Sequence, residues 1–344
     1  MKTRVSLPLR SILVFGLVIV LHTVVFAPGE VGAQAKTFEL KYAGFMPKVD
    51  PQEANPEWWG KEVEKRTEGR VKVTFYHAET LGKMFDQPKM LKGGICDITQ
   101  LPDVSPDFPL LHIFEAPFVV PTQAKAQEAF GALYYKGLLK EHLKDYKFLW
   151  WQAIAPIQMV LRNKKITRME ELKGLKIRGM PGLRTAFNEA LGATGVAMPT
   201  TECFMALERG TLDGINTAVE SAVSLKFSEV TKYWIWEPIC TGGLMIAMNL
   251  KVWNSLPPDI QTIIEQLNAE AHYRFRELMQ TPAESRALLR KLGWEVYELS
   301  PEERARWHKV AQQVVDKWVA EREAKGLPMK QVMEVVKRVS ESFE

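Results

Sequence analysis

Cysteine is scarce: Cys96, Cys203 and Cys240 are the three in a chain of 344 residues. That excludes a disulfide scaffold, and nothing in their spacing suggests even one bridge. A Cys–His metal cluster is equally unsupported, since no two cysteines are near each other and no histidine neighbours them. An excess of one charge sign is also missing. The formal net charge is +4, with 45 Lys and Arg interleaved among 41 Asp and Glu, which argues against a nucleic-acid binder. There is no Gly-rich dinucleotide or phosphate loop, no His-Glu-x-x-His pair, no Gly-x-Ser-x-Gly elbow, no EF-hand loop and no solenoid repeat. His77, His112, His142, His272 and His308 are scattered and read as surface or packing residues. No nucleophile–base pair is visible. The expectations are therefore no catalysis, no cofactor and no metal.

What is present is ordinary for a folded chain: 46% hydrophobic and 25% charged residues, with ten Trp. The length suits two domains rather than one small core. The first 35 residues read as a signal peptide. Lys2, Arg4 and Arg10 precede an apolar run over 11–27, and Ala33-Gln34-Ala35 supplies small residues for cleavage after Ala35 or Ala33. The remaining 36–344 would carry a net charge of +2, once Lys2, Arg4, Arg10 and Glu30 are removed. No second apolar run of spanning length follows. An exported, soluble, periplasmic product is expected.

Hydrophobic periodicity alternates between strands and helices along this remainder. Strands are expected at 38–44, 71–75, 95–99, 148–153, 158–162, 175–178, 214–218, 243–249 and 294–299. Helices are expected at 53–68, 83–92, 122–145, 202–209, 219–229 and in two terminal segments. The pattern predicts an α/β protein with about nine strands in two clusters and largely parallel sheets. Pro257-Pro258 opens an apparent single helix running to Lys291. At 1.5 Å per residue it would extend roughly 50 Å, a spine touching both lobes.

Several segments are more specific. They are LKGLKIRGMPG (172–182), LGATGVAMPTTECFMALERGTLDG (191–214), FSEVTKY (227–233) and MNLKVWNSLPPDIQTII (248–264). Looser matches precede them: EVEKRTEGRV (62–71), Thr80-Leu81-Gly82, Gly94-x-x-Asp97 and Ala116-Pro117-Phe118. Together, over essentially the whole chain after residue 35, they resemble the solute-binding subunits of TRAP transporters, the DctP-type periplasmic receptors.

The resemblance implies a two-lobed periplasmic binding protein fold, with a ligand cleft between the lobes and a long interlobe helix. Lobe I would comprise 36–155 plus 244–283, and lobe II 156–243 plus 284–344. The implied function is capture of an organic acid for uptake by one small and one large membrane subunit, with the receptor itself a monomer. A periplasmic enzyme acting on an organic acid, or a receptor feeding a sensor kinase, are the alternatives.

Arg178 occupies the family's ligand-binding arginine position. A guanidinium presents a rigid fork that pairs a carboxylate bidentately. The alternative is a surface arginine paired with Glu189 or Glu202. Twenty residues upstream, where some relatives carry a second arginine, stands Gln158, and after Asp213-Gly214 come Asn216 and Thr217. One cationic fork suggests a monocarboxylate, or a diacid held partly by neutral donors. Phe45, Trp151, Trp236 and Cys240 are further ligand-binding candidates, with Met46, Gln100 and Asp103 behind them. Glu202 reads as serving a helix start and Glu220 as a helix-surface or interlobe residue.

Overall fold

A computed structural model of the chain describes residues 36–278 and 280–341. The signal peptide expected at 1–35 lies outside the described residues. The strands are β1 (Phe38–Ala43), β2 (Val71–Tyr76), β3 (Ile98–Pro102), β4 (Tyr146–Ala153), β5 (Ile157–Leu161) and β6 (Lys176–Gly179). They continue with β7 (Thr194–Ala197), β8 (Gly214–Thr217), β9 (Tyr233–Cys240), β10 (Gly243–Asn249) and β11 (Glu295–Tyr297). The helices are α1 (Pro51–Arg66), α2 (Gln87–Gly93), α3 (Gln123–Tyr135), α4 (Lys140–Leu143), α5 (Leu183–Ala190) and α6 (Cys203–Glu208). After them come α7 (Val219–Ser224), α8 (Leu250–Ser255), α9 (Pro258–Glu277), α10 (Pro282–Lys291), α11 (Pro301–Glu323) and α12 (Met329–Glu341).

Two sheets result, one per lobe, in the order β2-β1-β3-β10-β4 and β11-β9-β5-β8-β6-β7. The lobes are α/β, as expected, but the sheets are mixed rather than largely parallel. β10 runs antiparallel to β3 and β4, and β5 runs antiparallel to β8 and β9. The cause lies in the two short connections between sheets. β4 passes to β5 through 154–156, and β9 passes to β10 through Thr241-Gly242. Segments this short cannot make a parallel crossover, so each strand continues into the other sheet. The two crossings lie side by side. Ile154 N–H donates to Gly242 O at 3.3 Å, with Ala153 opposite Gly243 and Ile157 opposite Cys240. Gly242 has φ +65°, a left-handed conformation that glycine adopts without strain.

Three elements differ from expectation. β3 begins at Ile98 rather than near 95, because Gly94 ends α2 in the left-handed region and leaves Ile95 exposed in the turn. The edge strand β7 was not expected; its four residues carry little apolar pattern. The helix expected over 259–291 is two helices. α9 ends at Glu277, and α10 starts at Pro282 with a Thr281–Glu284 capping box. α9 packs on α1 and β4, within the first lobe. The long interlobe helix is α11. Its Trp307 and Ala311 belong to the second lobe's core, and its Val315 and Trp318 to the first's. α12 then lies on α3, burying Met329, Val332, Val335 and Val336 in the first lobe's core. The expected lobe II segment 284–344 would have placed that helix in the other lobe.

Candidate ligand cleft

Between the sheets lies a cavity of about 40 Å³. The first lobe contributes Phe45 and Met46 after β1, Gln52 on α1, Met84 and Leu244; the second contributes Arg178, Asn216, Thr217 and Ser221. Arg178 is on β6, and Asn216 and Thr217 end β8, both parallel strands in this region of the sheet. The crevice at the carboxyl ends of parallel strands is where open α/β sheets present ligand groups.

Arg178 is only 1% exposed. Its Nε donates to Met198 O at 2.8 Å, Nη1 to Asn216 O at 3.2 Å, and Nη2 to Thr200 Oγ1 at 2.9 Å and to the thioether of Met180 at 2.8 Å. Every acceptor is neutral. Among the described residues no carboxylate forms an ion pair with it, so neither Glu189 nor Glu202 is its partner. Burial lowers its pKa to about 10, with Arg184 adding to the lowering and Cys203 and Glu115 opposing it. Of the five guanidinium N–H groups, one on Nη1 has no described acceptor, and one on Nη2 has only sulfur, a weak one. Beside it, Asn216 accepts from Asn188 Nδ2 at 2.7 Å through Oδ1, while its own Nδ2 is buried without a described partner. Spare donor capacity on the guanidinium and an amide nitrogen without a described partner thus belong to residues lining one cavity.

Phe45, Arg178, Asn216 and Thr217 line this cavity, while the other four candidates do not. Gln158 alternates to a face where its Oε1 accepts from Trp234 Nε1. Trp151 stacks on Phe130 at 4.7 Å inside the first lobe and donates to Asp103 Oδ1 at 2.9 Å. Trp236 lies under the Arg286 guanidinium at 4.5 Å, and Cys240 is buried among apolar side chains of the second lobe. Burial raises the Cys240 thiol pKa, as for any thiol held in an apolar core.

Two charged lining residues escaped the sequence reading. Glu115 and Arg184, on α5, are each 4% exposed, and Arg184 Nη2 donates to Glu115 Oε1 at 3.1 Å, with Nε facing Oε2. A signal was available for each. Glu115 immediately precedes the Ala116-Pro117-Phe118 motif. Arg184 lies on the buried stripe of α5 with Leu183, Phe187 and Asn188.

The cleft is bridged near its mouth by neutral and acidic side chains. Gln52 Nε2 donates to Ser221 Oγ at 3.1 Å, Ser224 Oγ to Asp50 Oδ2 at 2.5 Å, and Thr201 Oγ1 to Glu79 Oε1 at 3.3 Å. Burial pushes Asp50 up to about 6. Burial and the Asp50 charge push Glu220, on α7, up to about 7.

Two lobes joined by paired crossings, with a cavity between them, form the architecture of a two-lobed periplasmic binding protein. A sequence model described as "Bacterial extracellular solute-binding protein, family 7" matches residues 42–322, and the chain belongs to that family. A marine metagenome TRAP solute-binding protein specific for aromatic acids, solved with metahydroxyphenylacetate, is similar at 26% identity and TM-score 0.82. The match covers 89% of this chain and 99% of that one. A TRAP solute-binding protein from Rhodoferax ferrireducens, with copurified benzoate, is similar at 25% identity and TM-score 0.81, covering 89% and 98%. The C4-dicarboxylate-binding periplasmic protein DctP of Rhodobacter capsulatus is 25% identical over 308 residues, 85% of this chain and 89% of that protein.

Proposed function

We propose that this protein captures an organic acid anion in the interlobe cleft and presents it, in the periplasm, to the small and large membrane subunits of a TRAP transporter. The observation that carries this reading is Arg178: a buried guanidinium held by neutral acceptors, with free donor capacity facing a cavity. An isolated buried charge is costly unless paired, and a carboxylate supplies the missing partner through charge-assisted bonds. Asn216 Nδ2, buried without a described partner, would donate to a second ligand oxygen. Phe45, Met46, Met84, Ile157, Met180 and Leu244 line the cavity with apolar surface, which suits an acid with a hydrophobic body. Family membership supports a receptor, and the aromatic-acid complexes of two structural relatives support the ligand chemistry.

A thermal-shift screen of residues 36–344 against organic acids, benzoate and 3-hydroxyphenylacetate included, tests it. A ligand at 100 times its Kd adds about 2.7 kcal/mol of stability, enough to move the melting temperature by several degrees. The expected result is a shift with one chemical series that disappears in Arg178→Ala. A shift that survives the substitution contradicts the site.

A further inference from the structure

The cavity holds a second arginine, and its role follows from its partner. Arg178 and Arg184 both line the space, and Glu115 is the one acid among the lining residues. Glu115 is ion-paired with Arg184, whose Nη2 donates to Oε1 at 3.1 Å and whose Nε lies beside Oε2, with both side chains buried. Arg178 has no such partner. The lining therefore carries one uncompensated positive charge although it contains two cations.

Asp103, His112 and the nearby thiols do not alter that count, whereas Asp50 and Glu220, raised to about 6 and about 7 close to the lining residues Gln52 and Ser221, add the same pH-dependent background for every ligand. Asp103, after β3, is fully buried, accepts from Trp151, and has its pKa raised well above the usual carboxylate range by burial and the Glu115 charge. His112, on the turn that carries Glu115, is held below the usual imidazole value by burial and sits against Ser105 O at 3.0 Å. The Cys240 and Cys203 thiols are both raised by burial.

We propose that Glu115 is a specificity-determining residue: by masking Arg184 it sets the cleft to accept ligands carrying a single negative charge. A monocarboxylate neutralises Arg178 and leaves the cavity balanced. A dicarboxylate would bring a second anion into a desolvated space whose other cation is occupied, so it would enter only as its half-protonated monoanion. This rests on the receptor reading above and narrows its ligand class.

The test compares isophthalate with 3-carbamoylbenzoate, an amide of nearly identical shape carrying one charge, on residues 36–344. Titration calorimetry in two buffers of different ionisation enthalpy reads both affinity and proton exchange. Isophthalate is expected to take up about one proton more on binding than 3-carbamoylbenzoate does at the same pH. Above the second pKa of the diacid, isophthalate affinity is expected to fall about tenfold per pH unit relative to that of the amide, which shares any effect of Asp50 and Glu220. In Glu115→Gln the extra proton uptake is expected to vanish and the preference to shift at least tenfold toward isophthalate. Dianionic isophthalate binding wild type as tightly as the amide, without extra proton uptake, overturns the inference while leaving the receptor reading intact. Failure of every carboxylate to bind wild type overturns both. The buffer experiment needs no substitution, so it can overturn the inference even if Glu115→Gln, which exposes Arg184 as an unpaired charge, does not fold.

Discussion

Arg178 is a buried guanidinium bonded to neutral acceptors alone. Its four neutral acceptors position the guanidinium but return less than an anion would, since hydrogen bonds to a charged partner contribute about 1.5–3 kcal/mol each against about 1 for neutral pairs. Replacing a buried, imperfectly paired charge by an apolar side chain of similar length is often neutral or stabilising. Arg178→Met is therefore expected to melt at or above the wild-type temperature without ligand and to show no ligand-induced shift. Differential scanning calorimetry with and without the acid checks both halves, and a large loss of intrinsic stability would mean that Arg178 is structural. This residue was legible from its motif and strand position. Asn216 and Thr217 were legible from the Asp-Gly turn before them. Trp151 and Trp236 misled because aromatic content says nothing of which lobe face a ring takes: both serve cores. The Glu115–Arg184 pair was illegible as a pair, since its members are 69 positions apart and meet only when the lobes are assembled.

Among the elements, α1 and α7 meet across the cleft, and acids sit where they meet. Asp50 caps α1, accepting from Gln52 N–H at 2.9 Å, and takes Ser224 from the α7 side. The raised native values, about 6 for Asp50 and about 7 for Glu220, exceed the ordinary 3.8 and 4.5. A carboxyl whose native pKa is raised binds its proton more tightly when folded. Its stabilising contribution is full below the ordinary pKa and is lost as pH rises through the native value. These two groups are thus expected to lower stability between pH 5 and pH 8. Asp50→Asn keeps a good helix cap and is expected to shrink that decline, read as the difference between melting temperatures at the two pH values. An equal decline in both proteins would contradict the assignment. Helix and strand identities were largely legible here, because caps and periodicity are local. The break between α9 and α10 was missed: the apolar period continues through it, whereas Pro282 and the Thr281 cap end the helix regardless of period.

At the scale of the whole molecule, the two lobes share two crossings and the helix α11, and the cavity lies between the lobes. Hinge closure about such crossings is an established repertoire for ligand capture. A ligand shifts that equilibrium only by what it gains in the closed form alone, and here the gain is specific: residues of both lobes line the space around one uncompensated cation. The two-lobed class was legible from the alternation of elements and from motifs spread along the chain. The mixed strand directions were not, because periodicity reports which face a residue takes and not which way a neighbouring strand runs.

On the proposed reading, the charge of a carboxylate held by Arg178 drives binding. Calorimetric titration of residues 36–344 with the acid giving the largest melting shift, and then with its primary amide, tests it most directly. The two ligands share shape and apolar body and differ in the charge. Loss of a charge-assisted pair predicts that the amide binds at least tenfold more weakly than the acid, and that Arg178→Ala abolishes most of this difference. An amide that binds wild type as tightly as the acid would contradict the account.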